Sequence, residues 1–124
     1  MDKLKFINEQ LETIGIPYEF GQWSSGIKYP YYVGEITEEP VTTEDRLEES
    51  TFILTGFNRG NMIDLERDKN RIKKHFDPIY GLRGETDSGA IAAFFDGSFY
   101  VPSGEAELKT IQINLKIKEW KGAE

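Results

Sequence analysis

The chain has 124 residues, with 15 Lys and Arg, 22 Asp and Glu, one His and no Cys, and its formal net charge is −7. This length fits one domain, residues 1–124, that buries a core without metal or disulfides, and the missing Cys excludes thiolate zinc sites and a cysteine nucleophile. The acidic balance disfavours broad nucleic-acid binding, which needs Lys and Arg to replace phosphate counterions.

The N-terminal segment predicts an amphipathic helix. Its apolar residues recur at intervals of three and four and form one stripe, while Lys3 lies off the stripe. Asp2 can cap the helix, and Gly15 followed by Pro17 ends it. The stripe consists of Leu4, Ile7, Leu11 and Ile14.

An aromatic hairpin is predicted next. Its turn is the Ser-Ser-Gly at residues 24–26, and its return strand covers residues 28–36. Pro30 cannot donate to a ladder, which indicates an edge strand. The aromatic side chains favour a strand pair half buried under the helix, and a small-molecule site is the alternative. These side chains are Tyr18, Phe20, Trp23, Tyr29, Tyr31 and Tyr32.

Residues 37–49 form the most polar stretch of the chain. Arg46 is the one basic residue among six acidic ones. The stretch is typical of a solvated loop, and the functional alternative is an acidic surface that faces DNA or a partner. The acidic residues are Glu38, Glu39, Glu44, Asp45, Glu48 and Glu49.

The middle of the chain predicts a strand and a second helix. Residues 50–58 are apolar at both alternating sets of positions, which suits a central strand covered on both faces. Asn61 can cap a helix over residues 62–76, in which Lys69 interrupts the apolar side and His75 ends a basic, solvated last turn. The apolar side consists of Met62, Leu65, Ile72 and Phe76.

The last third predicts a loop and three antiparallel strands. We expect a mobile loop over residues 77–88, and then two strands joined by a hairpin turn at Asp96-Gly97. The final strand, residues 107–120, alternates apolar and polar side chains and is too long for a small sheet to pair fully. The fold class is therefore α+β, a mostly antiparallel mixed sheet with two helices packed on one face.

Few residues suggest chemistry. The chain has no nucleotide-binding or serine-hydrolase motif, and His75 lacks a neighbouring nucleophile in the sequence. Asp96, Glu107 and Lys109 have the D-x(10)-E-x-K form that resembles the Mg²⁺ site of restriction-type nucleases, which is an alternative reading. The chain also has no apolar run of about 18 residues and no signal-peptide features, so we expect an intracellular protein.

Four segments together resemble a phage family. They are FINEQLETIGIPYEFGQWSS, YPYYVGEI, ESTFILTGFNRG and GSFYVPSGEAELKTIQINLKIKEW, which span most of residues 6–120. The chain resembles the small tail-terminator, or tail-completion, proteins of siphophages and their prophages. Another neck or minor tail component is the alternative within the same assembly.

The resemblance implies an α+β subunit that closes into a homo-oligomeric ring, typically a hexamer. The ring would cap the tail-tube protein, stop its polymerisation and join it to the head-tail connector protein. The resemblance implies no reaction, cofactor, metal or membrane. It also implies a virion tail location, assembly in the bacterial cytoplasm, and passage of DNA without specific binding.

Two surfaces are candidates for the contacts of such a ring. Lys116, Lys118, Trp120 and Lys121 are candidates for an oligomer or partner interface, although Trp120 can instead cap the domain's own core. The six acidic residues between Glu38 and Glu49 are candidates for an acidic lumen that repels DNA. The predicted loop over residues 77–88 is expected to order on contact with the tube or connector.

Overall fold

The structure, a computed structural model, describes residues 2–21, 26, 28–38, 47–86, 89–102 and 104–121. The strands form one six-stranded sheet in the order β1-β2-β3-β6-β5-β4, curved into a half-barrel, with β1 and β2 parallel and the other neighbours antiparallel. The fold is therefore α+β, as predicted. Its elements are α1 (Asp2–Thr13), β1 (Tyr18–Phe20), β2 (Tyr31–Glu38), β3 (Leu47–Arg59), α2 (Ile63–His75), β4 (Leu82–Thr86), β5 (Gly89–Val101) and β6 (Leu108–Lys121).

Helix α1 lies in the hollow of the curved sheet. Ile7 and Leu11 are fully buried, Leu4 and Ile14 pack partly against the same core, and the helix contacts both β1 and β4. Gly15 has a φ of +74°, the left-handed conformation in which a helix ends at glycine. The predicted helix and its stripe are confirmed.

The alternation of β6 is confirmed, whereas the prediction for β3 is partly wrong. The core lies on the side of the sheet that carries the helices, which we call the helix-covered face. The apolar residues of β6 all point to this face: Ile111, Ile113, Leu115 and Ile117. In β3, buried and half-buried residues also alternate from Ser50 to Asn58, so one face is more deeply buried than the other. The reason is that both helices pack on the same side of the sheet. We call the other side the outer face.

The aromatic segment does not form a hairpin. β1 and β2 run parallel, with Tyr18 beside Tyr32 and Phe20 beside Gly34. β2 is not an edge strand along residues 32–34, because the three-residue β1 covers it there. The predicted turn residues 24 and 25, and Trp23, lie outside the described residues.

Two predictions for the last third are corrected. β5 is one continuous strand in which Asp96-Gly97 forms a β-bulge instead of a turn, since Phe95 pairs with Leu115 and Ser98 with Ile113. Residues 82–86 of the expected loop form β4, which pairs with β5. The prediction that β6 is too long to be paired fully is also wrong, because β3 and β5 pair with it along its length.

Helix α2 begins close to its predicted cap. The N-cap residue is Met62, one position after the predicted Asn61, although the Asp64 amide donates to Asn61 Oδ1 at 3.3 Å. Leu65, Ile72 and Phe76 are buried as predicted, and Met62 is partly buried. Neither described helix has the length and apolar character that crossing a membrane requires.

Candidate interaction surfaces

Three of the four predicted interface residues lie on the outer face of β6. Lys116 Nζ lies 3.8 Å from Glu49 Oε2, and Lys118 Nζ lies 5.5 Å from the centre of the Phe94 ring. Trp120 is 37% exposed. The structure thus gathers three of the four residues on one surface; the side chain of Lys121 lies outside the described part.

Trp120 does not cap the domain's own core. It pairs with Leu47 on β3 and with Ala90 on β5, on the outer face. Its neighbour Glu119 points to the helix-covered face and is 3% exposed. An indole that is partly exposed beside lysines has the composition of an interface anchor.

The acidic candidates are only partly described. Glu38 ends β2, and Glu48 and Glu49 belong to β3, so this part of the expected loop is strand. All three lie at the same end of the sheet, near Trp120. Glu39, Glu44 and Asp45 lie outside the described residues.

A buried lysine holds this end of the sheet together. Lys3, predicted to lie off the buried stripe, is only 7% exposed. Its ammonium lies 3.2 Å from Glu38 Oε1, 3.5 Å from Glu119 Oε1 and 3.2 Å from Ser50 Oγ, to which it donates a hydrogen bond. Helix α1 is thereby tied to β2, β3 and β6 through one charge whose burial is compensated by carboxylates.

The residues of the nuclease alternative do not come together. Asp96 lies in the bulge opposite the middle of β6, whereas Glu107 immediately precedes β6. About seven residues of extended strand, or about 23 Å, separate Glu107 from the position on β6 that lies opposite Asp96. Lys109 instead donates to the Ala106 carbonyl at 2.7 Å. Within the described ranges, no group of three His, Asp or Glu residues can hold a metal ion.

The aromatic side chains are divided between the two faces of the sheet. Tyr18 packs edge-on against Phe52 on the helix-covered face, and burial raises its pKa to about 12. Tyr31 stacks on Phe57 on the outer face, at 5.0 Å between ring centres. Because these rings point in opposite directions, they do not line a common ligand pocket.

Sequence reasoning missed a polar cluster inside the fold. Asp68 is 2% exposed, and its Oδ2 accepts a 2.8 Å hydrogen bond from the Tyr32 hydroxyl. Its Oδ1 accepts from Arg71 Nη1 at 3.1 Å and lies 3.6 Å from Arg67 Nε. Burial, and then the nearby carboxylate, raise the pKa of Tyr32. Asp68 stands three residues after Leu65 on the apolar side of the helix, a signal that could have located it.

His75 is not a fully solvated residue at a helix end. Its Nε2 lies 2.8 Å from Gln10 Oε1 across the two helices, and partial burial lowers its pKa. The contact places the ring between α1 and α2, so it helps to dock the helices.

A second exposed surface follows α2. Asp77 Oδ1 accepts hydrogen bonds from the Ile79 and Tyr80 amides at 2.8 and 2.9 Å, and these bonds lower the Asp77 pKa. The turn presents Ile79 and Tyr80, 76% and 73% exposed, to solvent. This part of the predicted mobile loop is therefore already shaped in the single chain.

Comparison with known proteins assigns no function to these surfaces. No protein-family model matches the chain, and no curated protein matches it. Function is therefore inferred from the fold and from the surfaces described above.

Proposed function

We propose that the protein is a structural, non-enzymatic subunit of a phage tail, of the tail-terminator kind. Copies of the chain form a homo-oligomeric ring, a hexamer, that caps the tail tube and stops its polymerisation. The ring then joins the tube to the head-tail connector. In this proposal the protein assembles in the host cytoplasm and resides in the virion tail of a phage or prophage.

The observation that carries the proposal is the position of Trp120 on the outer face of the sheet. Within the described residues both helices pack on the opposite face, and the 37% exposed Trp120 lies beside Lys116 and Lys118 on the outer face. A ring subunit needs such surfaces on more than one side, because it contacts two neighbours and the tube. We assign the patch around Trp120 to the tube or the connector.

The acidic end of the sheet is compatible with a passage for DNA. Glu38 and Glu48 lie at this end on the helix-covered face and Glu49 lies there on the outer face, and like charge removes the attraction that phosphates have for a basic surface. The proposal therefore places these residues, with the rest of the acidic stretch, along the lumen of the ring.

The experiment is tube assembly with and without this protein. Purified tail-tube protein is polymerised, and tube lengths are measured by electron microscopy. We expect shorter tubes with a ring at one end, and longer, uncapped tubes with Trp120→Ala. Ile63→Ala, which also removes exposed apolar surface and lies at the start of α2 outside every surface assigned here, is the control and should cap normally. Unchanged tube lengths with the wild-type protein would reject the terminator role.

The alternative within the same assembly is another neck or minor tail component. Labelling the protein in intact virions distinguishes the two, because a terminator lies between the tube and the connector. A label at the tail tip, or absent from the virion, would contradict our proposal.

A further inference from the structure

Part of strand β5 has no neighbouring strand on one side among the residues that the structure describes. β4 pairs with residues 89–93, whereas residues 98–101 pair with β6 on one side and with no described strand on the other. We call residues 98–101 the free β5 edge. The bulge at Asp96-Gly97 and Pro102 bound it.

The free β5 edge has few of the features that prevent strand pairing. It contains no charged residue, and Phe99 and Tyr100 are 50% and 45% exposed. In an antiparallel sheet, alternate residues direct their N–H and C=O groups away from the existing partner. Two of the four residues therefore offer backbone groups to another strand, as unprotected edges do.

On the opposite side of the same sheet, part of β2 likewise has no described strand beside it. β1 pairs with residues 32–34 of β2, and the Gly21 amide donates to the Gly34 carbonyl at 2.8 Å. Beyond that point, residues 35–38 pair with β3 alone among the described strands. We call residues 35–38 the free β2 edge.

The two free edges are complementary in length and direction. Each edge has four residues. If the β5 edge of one copy pairs antiparallel with the β2 edge of a second copy, β1 of the second copy lies beyond Pro102 of the first and does not collide with β5. The same pairing leaves β4 beyond the end of β2. Parallel pairing would instead place β1 of the second copy beside the bulge, next to the start of β4.

The faces of the two edges also match. Thr37 and Phe99 both belong to the outer face, while Ile36 and Tyr100 both belong to the helix-covered face. Residues that are directly opposite in an antiparallel pair share a face. Aligning residues 98–101 side by side with residues 38–35 therefore continues the outer face and the helix-covered face from one copy to the next. This alignment covers both exposed aromatic side chains of the free β5 edge.

We propose that the free β5 edge of one copy pairs antiparallel with the free β2 edge of the next copy, with Tyr100 opposite Ile36 and Phe99 opposite Thr37. This contact joins two different surfaces, so its repetition generates a ring or a filament instead of a two-fold dimer. That these repeated contacts close into a ring, and do not continue as a filament, rests on the proposed function.

Disulfide trapping tests the register, because the natural chain has no cysteine. Thr37→Cys with Phe99→Cys, and Ile36→Cys with Tyr100→Cys, place thiols at directly opposite positions. Opposite Cα atoms are about 4.5–5.5 Å apart, within the range for disulfides. Within one chain, β3 and β6 separate the two positions by about 14 Å, so any bond must join two chains. We expect covalent multimers larger than dimers after mild oxidation.

Two controls make the result specific. Glu35→Cys with Phe99→Cys uses the same face but a diagonal pair, about 7–8 Å apart, and should trap at least tenfold less. Phe99→Cys alone should remain monomeric. Efficient dimers from that single variant would show β5 pairing with itself and would overturn the proposal. Monomers from both directly opposed pairs would overturn it as well.

A second measurement does not depend on cysteine. Amide hydrogen exchange of the unmodified protein should slow at residues 98–101 and 35–38 as concentration rises. Phe99→Lys should abolish this change, because lysine blocks strand edges, whereas Tyr80→Lys should preserve it. Exchange that is independent of concentration at both edges would also contradict the pairing.

The pairing and the proposed function can fail separately. Trapped multimers together with unaffected tube length would retain the edge pairing and reject the terminator role. Shortened tubes without trapped multimers would retain the terminator role and reject the edge pairing.

Discussion

At the residue scale, the most consequential feature is a carboxylate on the core side of a helix. Asp68 is 2% exposed and is held by the Tyr32 hydroxyl and Arg71. A buried charge is tolerated when hydrogen bonds and opposite charges replace its lost water. The cluster links α2 to β2, which fixes one position of the helix across the sheet.

Asp68→Ala should lower the free energy of unfolding by about 3 kcal/mol, since it removes the charge and leaves buried donors without an acceptor. Tyr32→Phe should cost about 1 kcal/mol, because the Arg71 contact remains. Urea denaturation measures both. The control Asp64→Asn, at a more exposed ion pair with Arg67, should change stability by less than about 0.5 kcal/mol. Equal losses in all three variants would contradict a special role for the cluster.

His75 should make stability depend on pH. Burial lowers its folded-state pKa below the ordinary value of 6.5, so the unfolded chain binds more protons between the two values. The stabilising contribution is therefore complete above about pH 6.5 and is lost as pH falls through the lowered pKa. We expect the stability of the wild type relative to His75→Gln to decline from pH 7 to pH 5. A constant difference would show that the pKa is unshifted.

At the element scale, two glycines in the strands leave space for aromatic rings from neighbouring strands. A Cβ on Gly56 of β3 would meet the ring of Tyr32, and a Cβ on Gly34 of β2 would meet the rings of Tyr18 and Phe52. Glycine in these strands provides space for aromatic rings from neighbouring strands, at a cost in strand propensity. The position of the buried Tyr32 ring depends on this close approach.

Gly56→Ala should destabilise the protein by about 1–3 kcal/mol, because overpacking displaces Tyr32 from Asp68. Gly26→Ala is the control, since no atom lies within 4 Å of its added Cβ and its φ is not in the left-handed region. Thermal unfolding compares the two variants. A loss in Gly56→Ala no larger than that in Gly26→Ala would contradict the packing argument.

At the scale of the whole molecule, net charge opposes assembly. Each chain carries −7, so a ring accumulates like charge that salt screens. Six chains of 14.2 kDa give a mass of about 85 kDa. Light scattering should show this closed species at high protein concentration, and a larger fraction of it when ionic strength rises. Unlimited growth with concentration would indicate a filament.

The acidic end should control how the ring interacts with DNA. Neutralising Glu48 and Glu49 to Gln is expected to increase retention of DNA, because repulsive charge is removed, while Glu38 is kept because it balances the buried Lys3. Electrophoretic mobility at low salt measures the effect. Neutralising Glu9 and Glu12, which are exposed on α1, makes the same change in net charge and should have a smaller effect. Equal retention in both variants would place the acidic end away from the DNA path.

The sequence by itself determined the features that depend on local periodicity. The spacing around Ile7 and Leu11 and the alternation from Ile111 to Ile117 specified one helix and one strand, because each pattern gives a continuous apolar side only in that conformation. Asn61 and Gly15 marked helix ends for equally local reasons, a capping bond and a left-handed φ. The α+β class follows from these elements.

Only the tertiary structure decided which strands are neighbours and which faces are covered. The parallel pairing of β1 with β2, and the bulge at Asp96-Gly97, arise from strands distant in sequence, so no short pattern encodes them. The same is true of the site: Lys116 and Trp120 could be proposed from alternation, but their place on an uncovered face required both helices to be located. The two free edges became visible only when the lengths of β1 and β4 were known. Each edge is the part of a strand that extends beyond the end of its shorter described neighbour.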